Sequence, residues 1–201
     1  MGIGRVLIAL AAASCLQAQD PRSAVSPNGL LEFRIFVGQP KDSGLSRLAY
    51  QVFYKGERIL DTSYLGIDIY LQEPLLGQYL GLIGFESTQK ATETELKANY
   101  MQNGSLGRLL NIEAKVSDHE IRFRYLIPKS TPLLDPFVID DEKTEFAVQP
   151  GAKVKITEEN TGTYPHMTLV KGPDSVLVTH LPHDFETTAP LTTPWRVITV
   201  D

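Results

Sequence analysis

The sequence predicts a single antiparallel all-β domain, and three observations support this prediction. Segments that alternate apolar and polar residues recur roughly every 8–12 residues along the chain. Gly, Pro, Asn and Asp separate these segments at the places where a chain would turn. No segment after residue 20 has the apolar spacing of a convincing helix, and none is apolar for long enough to span a bilayer. We therefore expect an antiparallel β-sandwich.

Length and composition are those of one folded and mildly acidic domain. The chain has 201 residues, of which 42% are hydrophobic and 21% are charged, which suits a single core and argues against disorder. Its formal net charge is −5. Nucleic acids and anionic membranes are held mainly by Lys and Arg, so we expect neither as a partner.

The first 18 residues have the anatomy of a signal peptide. Arg5 supplies a positive charge, residues 6–13 are apolar, and Ala18 is a small residue suited to cleavage. We therefore assign residues 1–18 as a signal peptide and residues 19–201 as the folded domain, which we expect to be periplasmic or extracellular. The only cysteine, Cys15, follows a sequence that weakly resembles a lipoprotein box, and a lipid anchor there is the less favoured alternative. The folded domain has no cysteine and hence no disulfide.

Residues 26–71 predict strands separated by clear turn signals. The breakers of SPNG at residues 26–29 precede the first strand. Lys55-Gly56-Glu57 provide a hairpin turn, with a glycine where a positive φ is needed. The predicted strands of this part are residues 30–37, 48–54, 58–60 and 64–71.

The pattern is looser over residues 77–100. Glycines interrupt the apolar run at its start, and the polar segment that follows has weak strand character. A helix over residues 91–100 is the alternative, but Thr92, Thr94 and the lack of an apolar stripe favour a strand. Residues 101–108 predict a loop.

Residues 109–148 predict a hairpin followed by an acidic segment. The two alternating strands meet at the polar pair Ser117-Asp118, and Arg122 and Arg124 fall on the face opposite the apolar side chains. After a proline-rich connection, four carboxylates lie close together in the sequence. Because they would spread over both faces of a strand or turn, we interpret them as a solvated acidic loop, not a catalytic pair. They are Asp140, Asp141, Glu142 and Glu145.

The C-terminal part predicts four more strands. The second and third of them form a hairpin closed by KGPD at residues 171–174. The last begins at Trp195 and ends one residue before the end of the sequence. The predicted strands are residues 153–158, 167–170, 176–181 and 195–200.

The residues alone do not predict a reaction. There is no nucleophile elbow and no glycine-rich phosphate loop. His180 and His183 are spaced three apart and, with Asp184 or Glu186, could form a surface metal site, although an accidental spacing is the favoured interpretation. His119 and His166 are interpreted as surface residues. One Trp, eight Tyr and eight Phe leave sugar binding open, because most aromatic residues of an all-β domain pack in its core.

Five motifs in register over residues 26–198 resemble the N-terminal domain of glycoside hydrolase family 97. Each motif is short, and their shared order makes the resemblance specific. They are SPNGLLEF (residues 26–33), YQVFYKGERIL (50–60) with SYLGIDI (63–69), EIRFRYLIP (120–128), DEKTEF (141–146) and TPWRVI (193–198).

This resemblance implies a fold, a metal and a compartment. The family's enzymes are exported bacterial α-glucosidases and α-galactosidases that depend on calcium. They join an N-terminal β-super-sandwich, similar to galactose mutarotase, to a catalytic (β/α)8 barrel. Their N-terminal domain gives the calcium a glutamate from a strand similar to VLVTHL at residues 176–181, where this sequence has His180. Residues 182–192 are shorter than the corresponding family segment, which implies a shortened sheet.

The expected function follows from the resemblance and from what the sequence lacks. The sequence ends at Asp201 without a barrel, so we expect no catalytic residues, no cofactor for this chain alone and no hydrolysis. The favoured function is a non-catalytic carbohydrate-binding or accessory domain, whose partners would be an α-glucoside or α-galactoside oligosaccharide and a catalytic barrel chain. The alternatives are a truncated or separately encoded part of an α-glycosidase and a protein-interaction β-sandwich.

Overall fold

The computed structural model of the chain describes residues 22–41, 43–104, 107–129, 131–132 and 135–200. The assigned signal peptide and Cys15 lie outside these residues, so both assignments stay predictions. Within them the only helical segment is one 3₁₀ turn, Pro173–Ser175, and all other regular structure is β. No helix in these ranges is long and apolar enough to cross a membrane. The all-β prediction is confirmed.

The described residues form 17 strands. The strands pair antiparallel throughout, as the predicted hairpins require. In chain order they are β1 (Arg22–Val25), β2 (Leu31–Gly38), β3 (Arg47–Tyr54), β4 (Glu57–Tyr64), β5 (Ile67–Ile69), β6 (Leu80–Gln89), β7 (Glu93–Gln102), β8 (Leu109–Ser117), β9 (Glu120–Ile127), β10 (Phe137–Glu142), β11 (Glu145–Phe146), β12 (Val154–Glu159), β13 (Thr168–Lys171), β14 (Leu177–His180), β15 (Phe185–Thr187), β16 (Leu191–Thr192) and β17 (Trp195–Val200).

The first four strands form one sheet in chain order. The hairpin between β3 and β4 turns at Lys55 and Gly56, whose φ angles are 53° and 81°. Two positive φ angles at the turn match the right-handed twist of the strands, and the glycine adopts its φ at little cost. The predicted turn is therefore confirmed.

The large sheet contains seven strands in the order β12-β17-β9-β8-β7-β6, with β16 also paired to β9. Strand β17 lies between β9 and β12, so it is an interior strand of the large sheet, next to the edge strand β12. Residues 91–100 lie mostly in β7, which makes the helix alternative wrong. The predicted loop at residues 101–108 starts too early, because β7 continues to Gln102.

Two small sheets complete the domain. One has the order β15-β10-β5, and the other has the order β11-β14-β13. The hairpin of β13 and β14 turns through the 3₁₀ segment, at the KGPD sequence that predicts it. These small sheets bring segments from the middle and the end of the chain to one corner of the domain.

The core lies between the four-stranded and the seven-stranded sheets. Alternate side chains of β2, β3, β8 and β9 are fully buried, as their alternating sequences predict. Phe123 of β9 packs on Tyr50 of β3 and Phe33 of β2, with ring centroids 5.1 Å and 5.8 Å apart. Aromatic contacts of this kind join the two sheets.

The prediction of a solvated acidic loop is wrong. Asp140, Asp141 and Glu142 belong to β10, and Glu145 begins β11. Glu142 is 0% exposed and Asp141 is 7% exposed. A carboxylate is buried at acceptable cost only when it is paired and hydrogen-bonded. Each of these two has a partner in a distant part of the chain, the Leu181 N–H for Asp141 and Arg196 for Glu142.

Candidate functional site

The largest buried polar cluster of the described residues is built on an arginine in the last strand. Arg196 of β17 and Glu142 of β10 are both fully buried. The guanidinium donates from Nε to Glu142 Oε1 at 2.9 Å and from Nη2 to Glu142 Oε2, which makes the pair bidentate. Its Nη1 donates to Glu158 Oε2 of β12 at 2.8 Å. One guanidinium thus binds two carboxylates from two different sheets.

Neutral donors complete the shell around the Glu142 carboxylate. The Thr144 hydroxyl donates to Oε1 at 2.7 Å, and the Tyr164 hydroxyl donates to Oε2 at 3.2 Å. Tyr125 OH lies 2.6 Å from Thr144 Oγ1 and accepts from the Gly66 N–H. Because the Thr144 hydroxyl donates its hydrogen to Glu142, Tyr125 is the donor in the hydrogen bond between the two hydroxyls. Four hydrogen bonds therefore converge on one buried carboxylate.

Burial decides the protonation of the groups around this carboxylate. Burial raises the pKa of Tyr125 and of Tyr164, and the negative charge of Glu142 raises both further. Both phenols therefore stay protonated and act as donors. Burial by itself would lower the pKa of Arg196, but the adjacent Glu142 carboxylate outweighs this effect, so the pKa is raised and the guanidinium stays charged.

The cluster is a closed network, not a reaction centre. Each buried side-chain nitrogen and oxygen atom in the described part of the chain has a hydrogen-bond partner. Glycosidase carboxyls must flank a sugar and leave room for it. Glu142 and Glu158 instead bind a single guanidinium inside the domain. The residues of this cluster can hold strands together, but they present no acid or base to a substrate.

A second polar cluster lies at the same corner, around Asp141. Its Oδ1 accepts from the backbone N–H groups of Leu181 and Glu142, both at 2.9 Å. Its Oδ2 accepts from Lys143 Nζ at 2.6 Å and lies 3.0 Å from His180 Nδ1. Burial would raise the pKa of Asp141, but the hydrogen bonds from Lys143, the Leu181 N–H and His180 outweigh it and lower the pKa.

Asp140 has the opposite environment on the next position of β10. Burial raises the pKa of Asp140, and repulsion from Asp184, Asp68 and Asp141 raises it further. Asp68 comes from β5, and Asp184 directly precedes β15, so the small sheet gathers carboxylates that are far apart in the sequence.

The side chains around His180 do not fit a calcium ion. Calcium takes oxygen ligands, and the imidazole of His180 offers none. The Asp141 oxygen nearest to His180 already binds the ammonium of Lys143. Across the described ranges, no three His, Cys, Asp or Glu side chains are close enough together to hold a metal ion. In the described residues no third ligand joins His180 and exposed His183, and their accidental spacing stays the prediction.

Sequence reasoning missed Arg196, Tyr164 and the role of Glu158. The available signal was the position of Arg196, which alternation places on the same face of its strand as the apolar Ile198. A charge in phase with a core face predicts a buried partner. Nothing in the local sequence identifies that partner, because Glu142 lies 54 residues away.

Comparison with known proteins agrees with the fold. The profile of the family described as Glycosyl-hydrolase 97 N-terminal matches residues 24–154, so the chain belongs to this family. A glycoside hydrolase family 97 enzyme from Pseudoalteromonas sp. strain K8, solved in complex with acarbose, superposes with a TM-score of 0.75 and 18% identity. The same enzyme was solved with panose as its E480Q variant, with the same scores. A β-arabinopyranosidase superposes with a TM-score of 0.68 and 17% identity. No curated protein matches the sequence.

The chain corresponds to a minor part of these enzymes. The alignments cover 90% of this chain and 35% of the family 97 enzyme, and 91% of this chain and 40% of the β-arabinopyranosidase. At this level of identity the similarity establishes the fold. The resemblance read from the sequence motifs is confirmed.

We predict that Asp141→Asn removes part of the acid sensitivity of the domain. The pKa of Asp141 is lower in the folded state, so its stabilisation is complete above the unfolded pKa of about 4 and is lost as the pH falls through the folded pKa. The substitution should lower the unfolding free energy at pH 7 by about 1–3 kcal/mol and flatten its decline below about pH 4. Urea titrations across this pH range measure both effects.

Asp140→Asn is the matched control, one residue away on the same strand. The raised pKa of Asp140 means that its ionisation opposes folding above about pH 4, so this substitution should leave the unfolding free energy at pH 7 unchanged or higher. An Asp141→Asn profile that parallels that of the unsubstituted chain would contradict the assignment.

Proposed function

We propose that this chain acts as a non-catalytic, carbohydrate-binding accessory domain of an exported glycoside hydrolase family 97 protein. The proposal rests on how much of each chain the structural alignment covers. The alignment includes 90% of this chain but 35% of the family 97 enzyme. The remaining part of such an enzyme is the expected partner, either as a barrel in the same polypeptide or as a separate chain. The signal peptide predicted at residues 1–18 supports export to the periplasm or beyond.

The chemistry of the buried carboxylates supports a non-catalytic role. Glycosidases need a pair of carboxyls about 5–10 Å apart with a substrate between them. The side chains of Glu142 and Glu158 are 0% and 9% exposed and share Arg196. The cavity beside Arg108 has a volume of about 40 Å³, too small for a sugar ring, and the described lining of the larger open depression of about 500 Å³ at residues 39–44 includes neither Glu142 nor Glu158. Activity would therefore have to come from another domain.

The proposed ligand class is a neutral oligosaccharide. The similar enzyme from Pseudoalteromonas was solved with acarbose and with panose. The family resemblance extends this class to α-glucosides and α-galactosides. An accessory domain that binds the same class of sugar would keep substrate close to the catalytic domain, because tethered binding raises the local concentration of a ligand.

The second candidate function is that of a part of an α-glycosidase that is truncated or encoded separately. The coverage of 35% favours this candidate as well, since an enzyme of this family needs further sequence. The DNA downstream of the coding region distinguishes the two, because a barrel in frame, out of frame or in a neighbouring gene would identify the missing part. A protein-interaction module remains the third candidate, for which co-purification with a barrel chain is the test.

We predict that the purified chain does not hydrolyse aryl α-glucosides or aryl α-galactosides, with or without calcium. The reason is that its buried carboxylates are committed to Arg196. Release of the aryl alcohol, followed by absorbance, should not exceed the rate without protein, while a complete family 97 enzyme serves as the positive control. Turnover that survives repurification and rises with chain concentration would contradict the proposal.

We also propose that calcium does not stabilise this chain on its own. A ligand that binds only the folded state raises the unfolding midpoint by mass action, and the side chains at His180 offer calcium a poor set of ligands. Thermal unfolding in millimolar calcium and in chelator should therefore give the same midpoint. A saturable rise with calcium that His180→Ala abolishes would refute this proposal.

A further inference from the structure

The outer face of the seven-stranded sheet has two chemically different halves. Along one half, cross-strand neighbours form ion pairs. Arg124 Nη2 lies 2.7 Å from Glu113 Oε2, and Lys115 Nζ lies 2.9 Å from Glu93 Oε1. The guanidinium of Arg124 also covers the ring of Trp195, 4.2 Å from its centroid. Charges here satisfy one another, and the Arg124 guanidinium already covers one face of the ring of the only tryptophan.

The other half of the same face carries no ion pair among the described residues. The register places Gly84, Asn99 and Asn111 in one row across β6, β7 and β8, and Gly81 and Met101 in the next row. Tyr79 and Asn103 continue the pairing beyond the strand ends, joined by a backbone hydrogen bond. We call this surface the uncharged platform. Its members are Ile83, Asn99, Met101, Asn103 and Asn111, and Tyr79 adjoins it through the backbone hydrogen bond to Asn103.

Two glycines make the uncharged platform flat and place its amides. A Cβ at Gly84 would lie 3.1 Å from Asn99 Nδ2, which is tighter than an ordinary contact. A Cβ at Gly81 would lie 3.6 Å from Asn103 Oδ1. The amide groups of Asn99 and Asn103 therefore lie over backbone where a larger residue would have a side chain.

The side chains of the uncharged platform have unused binding capacity. Ile83 is 57% exposed, Met101 39% and Tyr79 37%. Among the side-chain hydrogen bonds of the described residues, none involves the amide of Asn99 or of Asn111. An amide carries two donors and an acceptor with two lone pairs. Together with Tyr79, the platform thus combines an exposed aromatic ring, apolar surface and free amides.

This combination matches the chemistry of a neutral sugar. Sugar hydroxyls pair with amide donors and acceptors, and sugar C–H faces pack on aromatic and apolar side chains. A charged ligand would gain no ion pair on this surface, whereas a neutral ligand displaces water without desolvating a charge. We infer that the uncharged platform is the binding surface for a neutral oligosaccharide, an inference that rests on the proposed carbohydrate-binding function and assigns it a site.

The test is calorimetric titration of the chain with maltoheptaose and with an α-galacto-oligosaccharide. The unsubstituted chain should bind at least one of them saturably. Tyr79→Ala and Asn99→Ala should each weaken that binding by about tenfold, which is about 1.4 kcal/mol. The matched controls are Tyr70→Ala, an exposed tyrosine at the end of β5, and Lys97→Ala on the charged half, and both should bind within about twofold of the unsubstituted chain. Circular dichroism and unfolding midpoints verify that each variant folds.

The outcomes separate the platform from the proposed function. If the chain binds a sugar saturably and Tyr79→Ala and Asn99→Ala leave that binding unchanged, the platform is not the binding surface, and the proposed carbohydrate-binding function stands. No binding of either sugar by the unsubstituted chain would overturn both. If the chain is a dimer in solution and Ile83→Asp makes it a monomer without affecting sugar binding, the platform is an interface between copies and the inference is wrong.

Discussion

The bidentate pair between Arg196 and Glu142 is the interaction on which the rest of this structure depends. It joins the last strand of the large sheet to the central strand of a small sheet, and Glu158 ties the same guanidinium to the edge strand β12. Two buried charges carry a large desolvation cost, and good geometry with further hydrogen bonds is needed to offset it. The hydroxyls of Thr144 and Tyr164 provide those bonds. Removing Arg196 would leave the Glu142 carboxylate buried without a counter-charge, and removing Glu142 would leave the guanidinium with Glu158 as its one carboxylate partner.

This pair also explains what the acidic segment contributes to the fold. Successive residues of β10 face different surroundings, so three adjacent carboxylates acquire three roles. Glu142 faces the interior and binds Arg196, Asp141 binds the backbone and Lys143, and Asp140 stays partly exposed beside Asp68 and Asp184. Glu142 and Asp141 are thus occupied by other groups of the protein, and the uncharged platform on the large sheet is the better candidate for ligand binding.

The fold can be predicted from the sequence more readily than the site, for a physical reason. Alternation is a local property, so β2, β8, β9 and β17 follow from the apolar phase of their own residues, and the hairpin at Lys55 and Gly56 follows from its turn residues. Burial of Glu142 depends on Arg196, which lies 54 residues away in the sequence. The position of β17 between β9 and β12 likewise cannot be predicted from any short segment. The uncharged platform could not be predicted from the sequence either, because its rows form only when β6, β7 and β8 pair in register. For the fold, the family motifs supplied the long-range information that local patterns lack, because their shared order along the sequence indicates the whole domain.

A double-mutant cycle on Arg196 and Glu142 tests the central claim most directly. Urea unfolding should be measured for the unsubstituted chain, Arg196→Met, Glu142→Leu and the double variant. Each single substitution should lower the unfolding free energy by about 3–5 kcal/mol, because Arg196→Met leaves the buried Glu142 without a counter-charge and Glu142→Leu removes the bidentate partner of Arg196, which keeps Glu158 alone. The loss in the double variant should fall short of the sum of the single losses by about 1 kcal/mol or more. Single losses within about 0.5 kcal/mol of zero, or losses that simply add, would contradict a structure built around this pair.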